Sequence, residues 1–133
     1  MGYKKILVVD DDEKFVEIVL RLLKMKGYTG DGVTNVKEAI NKIQKEKYSL
    51  ILLDLMIPGV GGFDAIKMIK NVPGYEDVPI IIITAKDDPD LERKGIKAGA
   101  EDFIFKPFDV ENFFDKIHRN LKRKNSYRNS GIV

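Results

Sequence analysis

The feature that most constrains the fold is a repeated one: a short apolar run that stops at a polar residue. Leu50 to Leu53 runs into Asp54, Lys5 to Val9 into Asp10, Asp11 and Asp12, and Pro79 to Ile83 into Thr84. Such runs, bounded by turn signals like Pro58-Gly59, suit strands buried on both faces. In a parallel sheet the C-terminal strand ends meet along one edge, and ligands bind there. The expectation is a single acidic pocket of Asp54, Asp10 and Asp11, with Thr84 beside it.

Helical patterns lie between the runs. A helix over about 13–26 carries Phe15, Ile18, Val19, Leu22 and Leu23 at helical spacing, with Asp12 as N-cap and Gly27 as stop. Tyr28 to Val33 is a weaker strand, interrupted by Gly30 and Gly32, and is expected at a sheet edge. Thr34 or Asn35 caps a second helix with Val36, Ala39, Ile40 and Ile43 inward. A third helix turns Phe63, Ile66 and Ile69 inward. Asp88-Pro89 opens a fourth over about 89–97, with few apolar anchors and an internal Gly95 that costs about 1 kcal/mol against alanine. Glu101 to Phe105 reads as the fifth strand. Lys106-Pro107 breaks it, and Asp109 caps a fifth helix with Val110, Phe113, Phe114, Ile117 and Leu121 inward. After Lys124 the periodicity ends, and a frayed tail is expected over 125–133.

Strand and helix thus alternate five times, which implies a parallel sheet covered by helices on both faces. Right-handed crossovers leave few topologies. A flavodoxin-like (βα)5 fold with strand order 2-1-3-4-5 places the first and third strands side by side, with the fourth next to the third.

The 133 residues favour one domain, and an apolar fraction of 44% supplies a core. Cysteine is absent, which excludes a disulfide framework and thiolate metal sites. No apolar run approaches membrane-spanning length, so the expectation is a cytoplasmic protein with no membrane contact. Five of the 23 Lys and Arg lie from Arg119 onward, leaving 18 against 21 Asp and Glu in the body. The body is mildly acidic and the tail basic. An acidic body with no spare helix-turn-helix segment argues against direct nucleic-acid binding.

Gathered carboxylates repel: two unit charges about 4 Å apart cost roughly 4 kcal/mol at an effective dielectric of about 20. Protonation or a bound cation relieves that cost. A hard, all-oxygen donor set suits Mg²⁺. A single histidine, His118, far along the last helix, argues against zinc. A metal beside a third carboxylate makes phosphate chemistry sensible, because a carboxylate can itself become an aspartyl phosphate. Thr84 offers a hydrogen-bond donor and Lys106 a charge for the phosphoryl oxygens. Taken alone, Thr84 reads as a turn residue and Lys106 as a surface lysine. Their joint occurrence at successive strand ends carries the weight.

Val8 to Asp12, Leu53 to Gly59, Ile83 to Ala85 and Phe103 to Phe108 together resemble the receiver domain of two-component response regulators, in its single-domain, chemotaxis-regulator-like form. The resemblance covers about residues 4–122, within a receiver domain of 1–124. It implies that Asp54 is the phosphoacceptor, that Asp11, Asp54 and the Met56 backbone carbonyl ligate Mg²⁺, and that Asp10 holds a metal-bound water. It further implies that Lys106 pairs with the phosphoryl group, that Thr84 moves towards it together with Phe103, and that Lys106-Pro107 is cis. Phe103 stands where tyrosine is frequent, and Gly61 where aspartate is. Met56 and Lys86 resemble the pair that tunes phosphoryl lifetime.

The function implied is a phosphorylation-activated signalling switch that modifies itself and turns over no separate metabolite. The donor would be a sensor histidine kinase or a histidine phosphotransfer protein. Output would pass to a protein partner through the face of helix four, strand five and helix five, from a monomer or a phosphorylation-dependent dimer. The length leaves no room for an output domain, unless the chain is a receiver cut from a longer regulator. An aspartyl-phosphate phosphatase would want a second carboxylate where Met56 stands. A flavin or dinucleotide binder would want a glycine- or hydroxyl-rich loop where Asp10 to Asp12 stand. A degenerate, scaffold-only receiver would not need the full set of Asp11, Asp54, Thr84 and Lys106.

Overall fold

The computed structural model describes the backbone of residues 4–57, 59 and 61–130, and the side chains among these as far as residue 122. The elements are β1 (Lys5–Val9), α1 (Glu13–Met25), β2 (Thr29–Val33), α2 (Val36–Lys45), β3 (Leu50–Leu53), α3 (Gly62–Lys70), β4 (Ile80–Thr84), α4 (Pro89–Ala98), β5 (Asp102–Phe105) and α5 (Val110–Ser130). The strands form one parallel sheet in the order β2-β1-β3-β4-β5, the flavodoxin-like arrangement expected from the alternation.

The pleat sends successive side chains to opposite faces, and every central strand uses both. Ile6, Val8, Leu50, Leu52, Ile81, Ile83 and Ile104 form a core with α1 and α5. Leu7, Val9, Ile51, Leu53, Ile80, Ile82 and Phe103 form the other, with α2 and α3 and with Leu91 and Ala98 of α4 against it. That two-sided burial is why these strands read as unbroken apolar runs.

The helix starts follow their caps. Asp12 accepts from Phe15 N at 3.2 Å, Asp88 from Asp90 N at 2.9 Å and Asp109 from Asn112 N at 3.1 Å. Of the two candidates for α2, Asn35 is the cap, accepting from Glu38 N at 2.8 Å.

Two inward stripes differ from expectation. In α1, Ile18 is 53% exposed, while Val16, Val19 and Leu23 are buried and Leu20 packs against the same core. The cause is β2. A Cβ on Gly32 would lie 2.2 Å from Val16 Cγ1, and one on Gly30 would lie 3.0 Å from Leu20 Cδ2. The glycines that weaken the strand let α1 settle onto it, on the side of Val16 and Leu20. In α5, Val110 is 43% exposed because it opens the helix ahead of the buried Phe113, Ile117 and Leu121.

The backbone of α5 is helical to Ser130, through most of the tail expected after Lys124. Residues 131–133 of that tail, and Pro58 in the loop after β3, lie outside the described residues. Among the described residues no helix is long and apolar enough to cross a membrane.

Polar side chains lace the sheet away from its C-terminal edge. The Tyr48 hydroxyl donates to Asp31 Oδ2 at 2.6 Å, and Lys5 pairs with Asp31 at 3.4 Å and with Glu46. The Tyr75 hydroxyl accepts from Tyr48 N at 3.1 Å and donates to Glu46 O at 2.9 Å. Glu101 accepts from Ile80 N at 2.8 Å and from Lys70 Nζ at 3.2 Å. Asp102 accepts from Arg119 at 2.9 Å and Asn120 at 3.0 Å.

Candidate functional site

At the C-terminal edge the balance is reversed, with carboxylates in excess. Asp10 follows β1, and its N–H donates to Val33 O at 3.1 Å, which fixes it against β2. Asp54 follows β3, and its N–H donates to Val9 O at 3.0 Å, which places it directly beside the end of β1. Asp10 is 0% and Asp54 5% exposed, whereas Asp11 is open to solvent. Asp10, Asp11 and Asp54 each offer an oxygen within 4.8 Å of the others. The sequence-predicted pocket is therefore assembled.

Each buried carboxylate is partly satisfied. Asp10 Oδ1 accepts from Asp12 N at 2.9 Å, and its Oδ2 from Lys106 Nζ at 2.8 Å. Asp54 Oδ1 accepts from Met56 N at 3.0 Å, and its Oδ2 lies 3.5 Å from Lys106 Nζ. Burial pushes the Asp54 carboxyl above the usual carboxylate range. The Met56 N–H opposes the shift, the charge of Asp10 adds to it, and Lys106 opposes it. One ammonium among three carboxylates leaves net negative charge, and with it room for a cation.

Lys106 reaches the pocket from the end of β5, where its N–H donates to Thr84 O at 2.8 Å and its bond to Pro107 is cis. Thr84 is fully buried at the end of β4, and its Oγ1 accepts from Lys86 N at 3.3 Å. Among the described residues no hydrogen bond joins Thr84 to Asp54. Met56 is 54% exposed at the pocket rim. Phe103 is not in the pocket. It is 2% exposed in the core beneath α4, where a Cβ on Gly95 would lie 2.5 Å from its Cζ.

One site residue was not legible as such. Phe15 reads as a member of the α1 stripe, yet Lys106 Nζ lies 4.0 Å from its ring centroid. The signal was its place in the first turn after the Asp12 cap. Helical side chains lean towards the N-terminus, which here overhangs the strand-end edge.

The chain is similar in sequence and fold to known proteins. Residues 6–118 match the family model described as the response regulator receiver domain. The chain belongs to that family. It is 36% identical over 132 residues to the response regulator ArlR of Staphylococcus saprophyticus, covering 97% of this chain and 59% of that protein. It is 36% identical over 120 residues to the phosphate regulon transcriptional regulatory protein PhoB of Pseudomonas aeruginosa, covering 90% of this chain and 52% of that protein. The receiver domain described here thus spans little more than half the length of these curated relatives. Among solved structures it resembles the chemotaxis response regulator CheY4 of Vibrio cholerae, with a TM-score of 0.84 and 28% identity over 90% of this chain and 99% of the other. It also resembles a two-component response regulator from Clostridium difficile, with a TM-score of 0.85 and 30% identity over 92% and 98% of the two chains.

Proposed function

We propose that this receiver domain is a phosphorylation-activated switch in which Asp54 accepts a phosphoryl group from a sensor histidine kinase or a histidine phosphotransfer protein. The observation that carries this reading is the buried Asp54 carboxylate, clustered with Asp10 and Asp11 and 3.5 Å from Lys106 Nζ. In the forward step an Asp54 oxygen attacks the phosphorus of a phosphohistidine. The O–P bond forms, the N–P bond breaks, and the imidazole leaves with a proton from solvent. In a separate hydrolytic step water attacks phosphorus, the bond to Asp54 breaks and inorganic phosphate departs. Lys106 offsets charge on the phosphoryl oxygens, and Thr84 donates a hydrogen bond to one of them. The chain acts on itself and is not an enzyme with a separate substrate.

Asp10, Asp11 and Asp54 form an all-oxygen, carboxylate-rich donor set, which fits Mg²⁺. Asp11, Asp54 and the Met56 carbonyl would hold it directly, and Asp10 through water. When bound, Mg²⁺ supplies positive charge opposite the carboxylates and the transferring phosphoryl oxygens. Output passes to a protein partner through α4, β5 and α5, where Ile96 is 49% exposed. Thr84 and Phe103 change arrangement as that face responds. The setting is cytoplasmic.

A second reading concerns the whole protein. Because the chain spans 59% and 52% of the two curated relatives, it fits a receiver within a longer regulator as well as a single-domain switch. The mass of the native protein separates the two.

Intact mass after incubation with acetyl phosphate and Mg²⁺, beside Asp54→Asn, tests the central claim. The expected result is one phosphoryl group gained, dependent on Mg²⁺ and absent from the variant. Equal gain in both proteins removes Asp54 as acceptor.

A further inference from the structure

We propose that Phe15 is a positioning residue whose ring holds the Lys106 ammonium at the phosphoryl site. This rests on the aspartyl-phosphate reading above. Lys106 is a point charge on a flexible four-carbon stem with three donors. Two partners are carboxylates, Asp10 at 2.8 Å and Asp54 at 3.5 Å. The third is the Phe15 ring, with its centroid 4.0 Å from Nζ, well inside cation–π range.

The chemistry of that third contact is distinct. A ring face attracts the ammonium without a lone pair, so it does not compete with the carboxylates or an incoming phosphoryl oxygen for the N–H donors. It also excludes water from the flank it covers. When Asp54 is modified, the donors can be handed to a phosphoryl oxygen while the ring limits how far the ammonium swings.

The ring is itself braced. Phe108 meets Phe15 edge-on, with centroids 6.1 Å apart and planes at 75°. Phe108 in turn stacks on the fully buried Phe113 at 4.8 Å and 15°. Phe108 lies two residues after Lys106, so the segment that carries the lysine also carries the support for the ring that holds it. α1 and the β5–α5 connection are clasped by this loop of contacts.

The test compares Phe15→Leu, which keeps an apolar side chain without a π face, with Phe15→Tyr, which keeps the face. In the metal-free protein the Lys106 ε-methylene protons are expected to be shifted upfield by the ring current in wild type and in Phe15→Tyr, and to lose that shift in Phe15→Leu. With acetyl phosphate and Mg²⁺, the P–O bond to acetate breaks as the Asp54 O–P bond forms. The half-saturating acetyl phosphate concentration is expected to rise roughly fivefold in Phe15→Leu, about 1 kcal/mol at about 1.4 kcal/mol per tenfold, and to return in Phe15→Tyr. A Phe15→Leu variant with wild-type Lys106 resonances, or with the same half-saturation as Phe15→Tyr, overturns the proposal, whatever its melting temperature. A wild type that gains no phosphoryl group sinks the parent reading instead, and the NMR comparison then decides the contact alone.

Discussion

Gly95 sets two physical effects against each other in one substitution. In an exposed helix interior, Gly95→Ala would gain about 1 kcal/mol from propensity. Here an added Cβ would lie 2.5 Å from Phe103 Cζ, 2.6 Å from Ile82 Cδ1 and 3.0 Å from Phe103 Cε1. Both neighbours are buried, Phe103 2% and Ile82 0% exposed, so their retreat would mean repacking the core. Overpacking of a filled core costs about 1–3 kcal/mol, and two contacts this short belong in the upper half of that range. The net expectation is a loss of about 1–2 kcal/mol, or a fall in melting temperature of roughly 4–8 °C for a domain of this size. Thermal and urea unfolding by circular dichroism measure it. Phe103→Leu removes the ring atoms that clash, so Gly95→Ala in that background should cost less, with a coupling of about 1 kcal/mol. A stabilised Gly95→Ala, or strict additivity with Phe103→Leu, would refute the close-packing account of α4.

Other expectations concern the polar groups. Burial works to raise the Asp102 carboxyl, but Arg119, the Phe103 N–H, Asn120 and Lys116 together hold it below its usual range. A depressed folded-state pKa gives stability that is present above the unfolded value of about 3.9 and is lost as pH falls through the folded one. Asp102→Asn should therefore be less stable than wild type at pH 7, by about 1 kcal/mol after allowing for the exposed Arg119. The gap in urea midpoint should narrow at lower pH, and a constant gap would contradict the assignment. Tyr75→Phe strips a partner from both Tyr48 N and Glu46 O. It should cost about 1–3 kcal/mol and speed hydrogen exchange at the Tyr48 amide, and unchanged exchange there would count against the bridge.

The pocket was legible because its residues punctuate the chain: Asp10, Asp54, Thr84 and Lys106 each stand where an apolar run stops. Strand order followed from alternation and crossover handedness. The rotation of the α1 stripe was not legible, because it depends on Gly30 and Gly32 of a neighbouring strand rather than on spacing within the helix. Tyr48, Tyr75 and Asp31 read as unremarkable residues, and only the fold brings them together. Phe15 fell between the two cases. Its periodicity announced a core residue, and its second role depends on a lysine reached only at the end of β5.

Among the described residues, most ion pairs lie away from the carboxylate pocket. Lys5, Asp31, Glu46, Tyr48, Tyr75, Lys70, Glu101, Asp102 and Arg119 come from widely separated parts of the chain, and they pin strands and helices in place without using a pocket residue. None of these fastenings uses Asp54 as a partner. On the switch reading proposed above, the fastenings of Lys5, Asp31, Glu46, Tyr48 and Tyr75 would hold the β1–β2–α2 side of the sheet while the α4, β5 and α5 face responds.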